Sequence, residues 1–193
     1  DLSHELAPAL KRLRLSGVLE TLEDRNQQAI KEEWSYVDFL ARLLQDEVER
    51  RGQKQLALRL RRSQMDSSKT IESFDFNFNP SIKKKLVLDL TTGMFVREKR
   101  NILICGPTGT GKSHLAQGIG NAMCRKGFDV LFTSAHQMMA FLLGGRADGS
   151  QARRLKSFLK PDLLIIDDFG LKPLRPPGPE DLYDVINERY EKG

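Results

Sequence analysis

The 193-residue sequence predicts an α/β fold, with a parallel sheet flanked by helices and a small all-helical domain in front of it. Two short apolar runs, residues 102–105 and 163–166, have the composition of buried parallel strands. A glycine-rich loop follows the first run and two carboxylates follow the second, as is typical at the ligand-binding edge of such a sheet. Leucines at helical spacing characterise the first 66 residues instead.

Residues 106–113 read Gly-Pro-Thr-Gly-Thr-Gly-Lys-Ser and match the phosphate-binding loop pattern. The glycines let the backbone bring its N–H groups close to phosphate oxygens, and Lys112 can reach the β- and γ-phosphates. A plain glycine-rich turn is the alternative, but an apolar run before the loop and a helix at 113–125 favour a site for ATP. The predicted nucleotide-binding residues are Gly106, Pro107, Thr108, Gly109, Thr110, Gly111, Lys112, Ser113 and His114.

The second apolar run ends in Asp167 and Asp168. Since this end of a parallel strand faces the ligand crevice, Asp167 is predicted to hold Mg²⁺ through water, and Ser113 to ligate the same ion. Asp168 is predicted to orient or deprotonate the attacking water, so that Lys112 and Asp168 are the predicted catalytic residues. The alternative is an Asp pair that caps a turn before Gly170.

Residues 1–66 are predicted to form the helical N-terminal domain, with oligomerisation, partner binding or DNA contact as its role. Helical spacing covers residues 3–32, interrupted at Gly17, and a capping-box pattern at residues 35–38 opens a long second helix. Its expected apolar face is Phe39, Leu40, Leu43, Leu44 and Val48. Residues 50–62 contain six basic and no acidic side chains, which leaves open a solvated face or contact with nucleic acid.

Residues 67–79 are predicted to be an aromatic connector. Phe74, Phe76 and Phe78 alternate along it, and we expect them to dock onto the ATPase core, since aromatic burial is their commoner use. Contact of one ring with the nucleotide base is the alternative. A helix over residues 80–95 then opens the ATPase core, residues 80–193.

Between the two nucleotide motifs, we expect a strand at 129–132, a helix at 135–143 ended by two glycines, and a basic helix within 146–160. This basic stretch contains one acidic residue, Asp148, and is the better of the two candidates for DNA contact. The predicted DNA-binding residues are Arg146, Arg153, Arg154, Lys156 and Lys160.

Residues 171–179 are predicted to be a proline-rich loop, followed by a helix at 180–190. Only three core strands are then expected, at 102–105, 129–132 and 163–167, so we expect the ATPase core to be incomplete at its C-terminal end. The arginine finger and sensor residues are expected to lie outside this sequence. Because the chain begins with Asp1 and not with Met, we also expect a fragment at the N-terminal end.

Composition points to a cytoplasmic protein. The two cysteines, Cys105 and Cys124, lack the spacing of metal ligands and suit a reducing compartment. No apolar run has the length of a membrane span, and we expect no membrane partner. The net charge of +5 lies wholly in residues 73–193, which have 18 basic and 13 acidic residues, whereas residues 1–72 have 13 of each.

With these motifs in place, the chain resembles the IstB-type helper ATPases of insertion sequences, and its ATPase part is similar to the DnaC-type helicase loaders. The resemblance rests on residues 106–113, on Leu163 to Asp168 followed by Phe-Gly-Leu, and on Phe74-Asp75-Phe76. A weaker likeness lies in Leu13-Arg14-Leu15-Ser16-Gly17. The resemblance as a whole implies an AAA+ ATPase of the initiator clade. Such a protein assembles as an ATP-dependent homo-oligomer on double-stranded DNA and recruits or stimulates a transposase.

Three alternatives remain at this point. A helicase loader would have the same core and a different protein partner. A nucleotide-gated scaffold would bind ATP with negligible turnover, because this chain has Asp167-Asp168 where many AAA+ proteins have Asp-Glu. A small-molecule kinase fits the helical N-terminal domain poorly.

Overall fold

A computed structural model describes residues 2–171 and 173–192 as a helix-rich α/β protein. Contacts divide the chain into two compact units, Asp1–Ala57 and Leu58–Gly193. The helices are α1 (Leu2–Arg12), α2 (Ser16–Glu32), α3 (Tyr36–Ser63), α4 (Lys84–Leu90), α5 (Met94–Arg97), α6 (Lys112–Arg125), α7 (Ala135–Asp148), α8 (Gln151–Leu159) and α9 (Gly178–Lys192). The strands are β1 (Val130–Ser134) and β2 (Leu163–Asp167).

The N-terminal unit is built on contacts of α2 with α1 and with the first part of α3. Val18, Leu22 and Leu43 are buried together and form its core. The predicted capping box at the start of α3 is present on one side, since the N–H of Asp38 donates to Ser35 Oγ at 3.1 Å. The all-helical prediction for this region therefore agrees with the elements observed.

Helix α2 begins without a side-chain cap from its own N-cap residue, and α3 supplies a carboxylate instead. Glu47 Oε2 accepts hydrogen bonds from the N–H groups of Gly17 and Val18, at 2.5 and 3.3 Å. A carboxylate at this end of a helix satisfies N–H groups that have no intrahelical partner. Glycine is needed at position 17, because a β-carbon there would lie 2.8 Å from the Cα of Glu47.

The predicted apolar face of α3 is only partly used. Leu43 is buried and Phe39 packs beside it, whereas Leu40, Leu44 and Val48 are exposed. A single helix face spans about 100° of the helix circumference, and these five residues cover more than that. The prediction of one continuous buried face is therefore wrong for three of its five members.

In the C-terminal unit, β1 and β2 form a two-stranded parallel sheet. Their register pairs Val130 with Leu163 and ends with Ser134 opposite Asp167. Helix α6 packs against both strands. The strands predicted at 129–132 and 163–167 are confirmed, although β2 is half-buried along its length and not buried on both faces.

The third predicted strand, residues 102–105, is wrong as a strand of the described structure. This segment has no ladder partner, and Leu103 is 83% exposed. A strand needs the hydrogen bonds of a neighbouring strand to satisfy its N–H and C=O groups, and an apolar run by itself does not provide them. The observed class is therefore α/β with a small parallel sheet.

The core of this unit lies where α7, α8 and α9 meet. Met138, Leu142, Phe158 and Val185 are buried together, and strand residues of β1 and β2 pack against them. The described helices include none with the length and apolar character of a membrane span.

Helix α7 corrects the predicted helix end at the two glycines. It runs through Gly144 and Gly145 and ends at Gly149, whose φ of +73° terminates it. A β-carbon on Gly145 would lie 2.8 Å from the Cα of Gln151 in α8, so this glycine serves close helix packing. As a result Arg146 belongs to α7, and the basic helix α8 begins only at Gln151.

The helix predicted over residues 80–95 is also different. It is divided into α4 and α5 by a turn at Thr91–Gly93, where Gly93 has a φ of +81°. Pro80 lies before α4 and not in its first turn. Helices α6 and α9 confirm the predictions at 113–125 and 180–190 within two residues at each end.

Candidate nucleotide-binding site

The glycine-rich loop has the backbone conformation that a phosphate cradle requires. Gly109 and Gly111 have φ values of +80° and +87°, a region that residues with a β-carbon rarely adopt. Nothing lies within 4 Å of the position that a β-carbon on Gly109 would occupy, so the loop is open there. Residues 106–109 are exposed, so a ligand can approach the loop; Pro107 alone among them has no N–H to offer.

Helix α6 starts directly from this loop. Its N-cap is Gly111, which provides no side-chain cap, and the first hydrogen bond of the helix runs from the N–H of Leu115 to the Gly111 carbonyl oxygen. The N–H groups of Lys112, Ser113 and His114 therefore have no partner within the helix. Together with the helix dipole, they favour an anion at this end of α6.

Lys112 and Thr110 both turn toward one carbonyl of the loop. The ammonium group of Lys112 donates to the Pro107 carbonyl oxygen at 2.7 Å, and the Thr110 hydroxyl donates to the same oxygen at 2.8 Å. This hydrogen bond holds the Lys112 side chain over the loop, where its charge is predicted to bind phosphate. A phosphate oxygen would be a stronger acceptor for this ammonium group than a neutral carbonyl.

The two predicted carboxylates follow the last residues of β2. Asp167 closes the strand, and its Oδ1 accepts a hydrogen bond from the N–H of Asp168 at 2.9 Å. Asp168 has a φ of +54° and is exposed. Among the described residues, no hydrogen bond joins either carboxylate to the phosphate loop, and no group of three or more His, Cys, Asp or Glu side chains could hold a metal ion by itself.

The connector approaches the site more closely than sequence alone indicated. Phe74 is buried, and a β-carbon on Gly111 would lie 2.8 Å from its Cε2. His114 Nε2 lies 3.0 Å from the Thr70 carbonyl oxygen and 3.2 Å from Ser73 Oγ. Phe74 therefore docks onto the core, as predicted, and the ring of His114 faces the connector. The prediction is wrong for Phe78, which is 68% exposed. The predicted role of His114 in nucleotide binding rests on its backbone N–H.

The five predicted DNA-binding residues fall into two groups. Arg146 donates to buried Asp181 at 2.6 Å, and Arg154 donates to Asp148 at 2.6 Å and to the Phe141 carbonyl oxygen at 2.7 Å. These two guanidinium groups hold α7, α8 and α9 together. The other three side chains are exposed on α8 and its C-terminal end: Arg153, Lys156 and Lys160.

Sequence patterns alone do not single out Asp181. It is 2% exposed, and its Oδ1 accepts from Arg146 and from Gln151. Hydrogen bonding to Asp181 raises the pKa of Arg146. A buried carboxylate needs such donors, and only the packing of α9 against α7 and α8 reveals them.

Comparisons with known proteins give the family. The chain matches, over residues 8–193, the family described as IstB-like ATP binding protein. A relative in Mycobacterium tuberculosis is 36% identical over 188 residues, covering 97% of this chain and 75% of that protein.

Two further relatives are 33% identical, in Pseudomonas aeruginosa, and 34% identical, in Geobacillus stearothermophilus. They cover 98% and 93% of this chain and 71% and 72% of their own lengths. All three relatives carry provisional names as ATP-binding proteins of insertion sequences. This chain thus belongs to the IstB-like ATP-binding family of insertion sequences.

Proposed function

We propose that this chain is an ATP-hydrolysing, DNA-binding helper that assembles on double-stranded target DNA as a homo-oligomer and recruits or stimulates a transposase. The observation that carries the proposal is the phosphate loop: two glycines with positive φ precede Lys112 at an uncapped helix N-terminus. Membership of an ATP-binding family and the insertion-sequence names of its relatives support the same function.

The nucleotide site that we propose is that of an AAA+ core, with Mg²⁺ as the metal. Magnesium is held by one or two carboxylates together with phosphate oxygens, so a closed cage of protein ligands is not required. Ser113 in the first turn of α6 and Asp167 at the end of β2 supply hard oxygen donors of the right kind. The ion, when bound, neutralises charge on the phosphates.

The chain's own residues have separate tasks in this site. Backbone N–H groups of residues 109–114 bind the phosphates, and Lys112 holds its charge against their outer oxygens. Asp168 orients the attacking water, and its exposed position after β2 leaves the carboxylate accessible. Because Asp is shorter than Glu, we expect slow hydrolysis that suits a switch.

The proposed DNA contact is the exposed face of α8. Arg153 and Lys156 are three residues apart on the helix, and Lys160 follows four residues later, so their charges fall on one side. Because these side chains are exposed, they are available to phosphates of the DNA backbone, where each contact releases counterions. A helicase ring in place of the transposase would require the same face and a different protein partner.

A variant of Lys112 tests the proposal. We expect Lys112→Ala to abolish ATP binding, to reduce phosphate release to the blank level and to remove the ATP-dependent part of DNA binding. Lys126→Ala, at the other end of α6, is the matched control and should behave as the wild type. Titration with labelled ATP, phosphate release and DNA anisotropy at several salt concentrations measure these three properties.

The same measurements separate the alternatives. DNA binding that is equal with and without ATP and insensitive to salt would contradict the proposal. ATP binding and ATP-dependent DNA binding without phosphate release above the blank would identify a nucleotide-gated scaffold. Capture of a replicative helicase by the N-terminal region, and not of a transposase, would favour the loader.

A further inference from the structure

The phosphate-loop helix is covered on one side by the connector. From its first turn to its last, α6 meets connector residues at positions 111, 114, 118 and 125, at spacings of three, four and seven, which fall on one helix face. Phe74 lies on Gly111, and Glu72 pairs with Arg125 at 3.2 Å. The connector therefore runs along the helix that carries the phosphate-binding N–H groups.

The connector meets the loop at Gly111, through Phe74. The edge of the Phe74 ring occupies the space that a β-carbon would take, with Cε2 and Cζ at 2.8 and 3.1 Å from that position. Gly111 is both the N-cap of α6 and the residue before Lys112. A displacement of the loop at Gly111 is therefore transmitted to Phe74 by direct van der Waals contact, because packed interiors are nearly incompressible.

His114 fastens the same turn of α6 to the connector. A carbonyl oxygen only accepts hydrogen bonds, so Nε2 of His114 carries the proton that it donates to the Thr70 carbonyl oxygen at 3.0 Å. The Phe74 and His114 rings also meet edge to face, with centroids 5.3 Å apart. Farther along, Gln117 accepts from the N–H of Asp66 at 2.8 Å.

We propose that Phe74, supported by His114, is a positioning residue of the phosphate loop, and that through it the connector senses whether nucleotide is bound. This proposal rests on the nucleotide site described above. By linkage, any partner that shifts the connector changes ATP affinity by the same factor as ATP changes the affinity for that partner. Residues 64–66 join the end of α3 at Ser63 to the connector, so the proposed signal lies in the segment that follows the long helix.

Two leucine substitutions test the positioning role. Phe74→Leu keeps an apolar side chain but removes the ring edge from Gly111, and we expect ATP affinity to fall about 10-fold. Phe78→Leu makes the same change four residues later, at a side chain that is 68% exposed, and should leave the affinity unchanged. ATP titration gives the affinities, and thermal melting shows that both variants are folded.

Hydrogen exchange of residues 64–79 distinguishes sensing from a merely structural role, because only sensing predicts that ATP changes the amide protection of this segment. In the wild type and in Phe78→Leu, saturating ATP should change the protection of this segment. In Phe74→Leu, ATP at a concentration that saturates the variant should change it much less. If Phe74→Leu does not fold, His114→Ala tests the same contact, and His114→Gln, which keeps an N–H donor near the Thr70 carbonyl oxygen, should restore affinity.

The outcomes are distinct. The positioning role is overturned if the two leucine variants bind ATP with equal affinity. It is also overturned if ATP does not change the hydrogen exchange of the connector. Either result leaves the nucleotide site intact. Failure of the wild type to bind ATP overturns the proposed function, and the sensing role with it. Loss of affinity at Phe74 alone, together with an ATP response of the connector, supports both.

Discussion

Neighbouring arginines of α8 have opposite surroundings. The guanidinium group of Arg154 donates to Asp148, Ser150 and the Phe141 carbonyl oxygen, and its Cζ lies 4.8 Å from the centroid of the Phe141 ring. Arg153, one residue earlier, is exposed. Successive helix residues point about 100° apart, so one basic stretch serves both helix packing and solvent. A basic residue is therefore a candidate for DNA contact only if its charge is not already paired within the protein.

We expect the largest change in DNA binding when the exposed basic side chains of α8 are removed. Changing Arg153, Lys156 and Lys160 together to Gln should weaken DNA binding by about 100-fold at low salt and lower the salt slope by about 3, while the melting temperature stays unchanged. Changing Lys83, Lys84 and Lys85 to Gln removes the same charge near α4 and is the control. Equal losses in the two triple variants would show that net charge alone, and not the α8 face, determines binding.

Removal of an arginine that is paired with a buried carboxylate should produce the opposite pattern. Arg146→Gln takes the charged donor from a carboxylate that is 2% exposed, and we expect the melting temperature to fall by about 5 °C. DNA affinity of the folded variant should stay within about twofold of the wild type, since this side chain is not part of the exposed face. A stable Arg146→Gln with weakened DNA binding would place Arg146 among the DNA contacts after all. Differential scanning calorimetry and anisotropy give the two values.

The smallest effect we expect is a pH dependence of the stability of the N-terminal unit. Hydrogen bonding to Arg25 holds the pKa of Asp46 below its ordinary value. Burial by itself would raise the pKa of Glu47, but hydrogen bonds from Arg51 and from the N–H groups of Gly17 and Val18 lower it. A lowered carboxyl pKa contributes stability above the ordinary pKa, near 4, and this contribution is lost as pH falls through the folded value.

We therefore expect the N-terminal unit to lose stability below about pH 4, and Glu47→Gln to flatten this loss. Denaturation followed by the fluorescence of Trp34, the single tryptophan of the chain, reports on this unit. Glu49→Gln, on the same helix and exposed, is the control. The same pH profile for Glu47→Gln and Glu49→Gln would show that the carboxylate at the start of α2 has no such role.

A second contrast concerns the two apolar runs that the sequence predicted as strands. Residues 163–166 form β2, because β1 offers a parallel partner in register from Val130 to Ser134. Residues 102–105 have a similar composition and remain without a ladder partner in the described structure. Composition indicates that a segment can pair, and pairing itself depends on where the other strands lie. The loop that follows residues 102–105 nevertheless has its expected glycine conformation, because that depends on local residues alone.

The local predictions were the accurate ones. Residues close together in sequence explain the start of α6, the unusual backbone angles of Gly109 and Gly111, and the Ser35 cap of α3. The prediction for Gly144 and Gly145 was wrong because their role depends on a neighbouring helix. They were predicted to end a helix, but α7 continues through them and packs on α8. Single-sequence patterns carry no information on which helix will lie opposite a glycine.

By itself, then, the sequence determined the family, and it predicted the glycine-rich loop before α6 and the two carboxylates at the C-terminal end of β2, because each depends on residue types at fixed short spacings. Tertiary structure alone decided which basic residues pair with carboxylates inside the protein, and that Phe74 lies on Gly111. The contact of Arg146 with Asp181 and that of Phe74 with Gly111 join positions 35 and 37 residues apart, and the spacing of residues along the chain does not reveal them. Packing, and not pattern, therefore assigns a function to each charge.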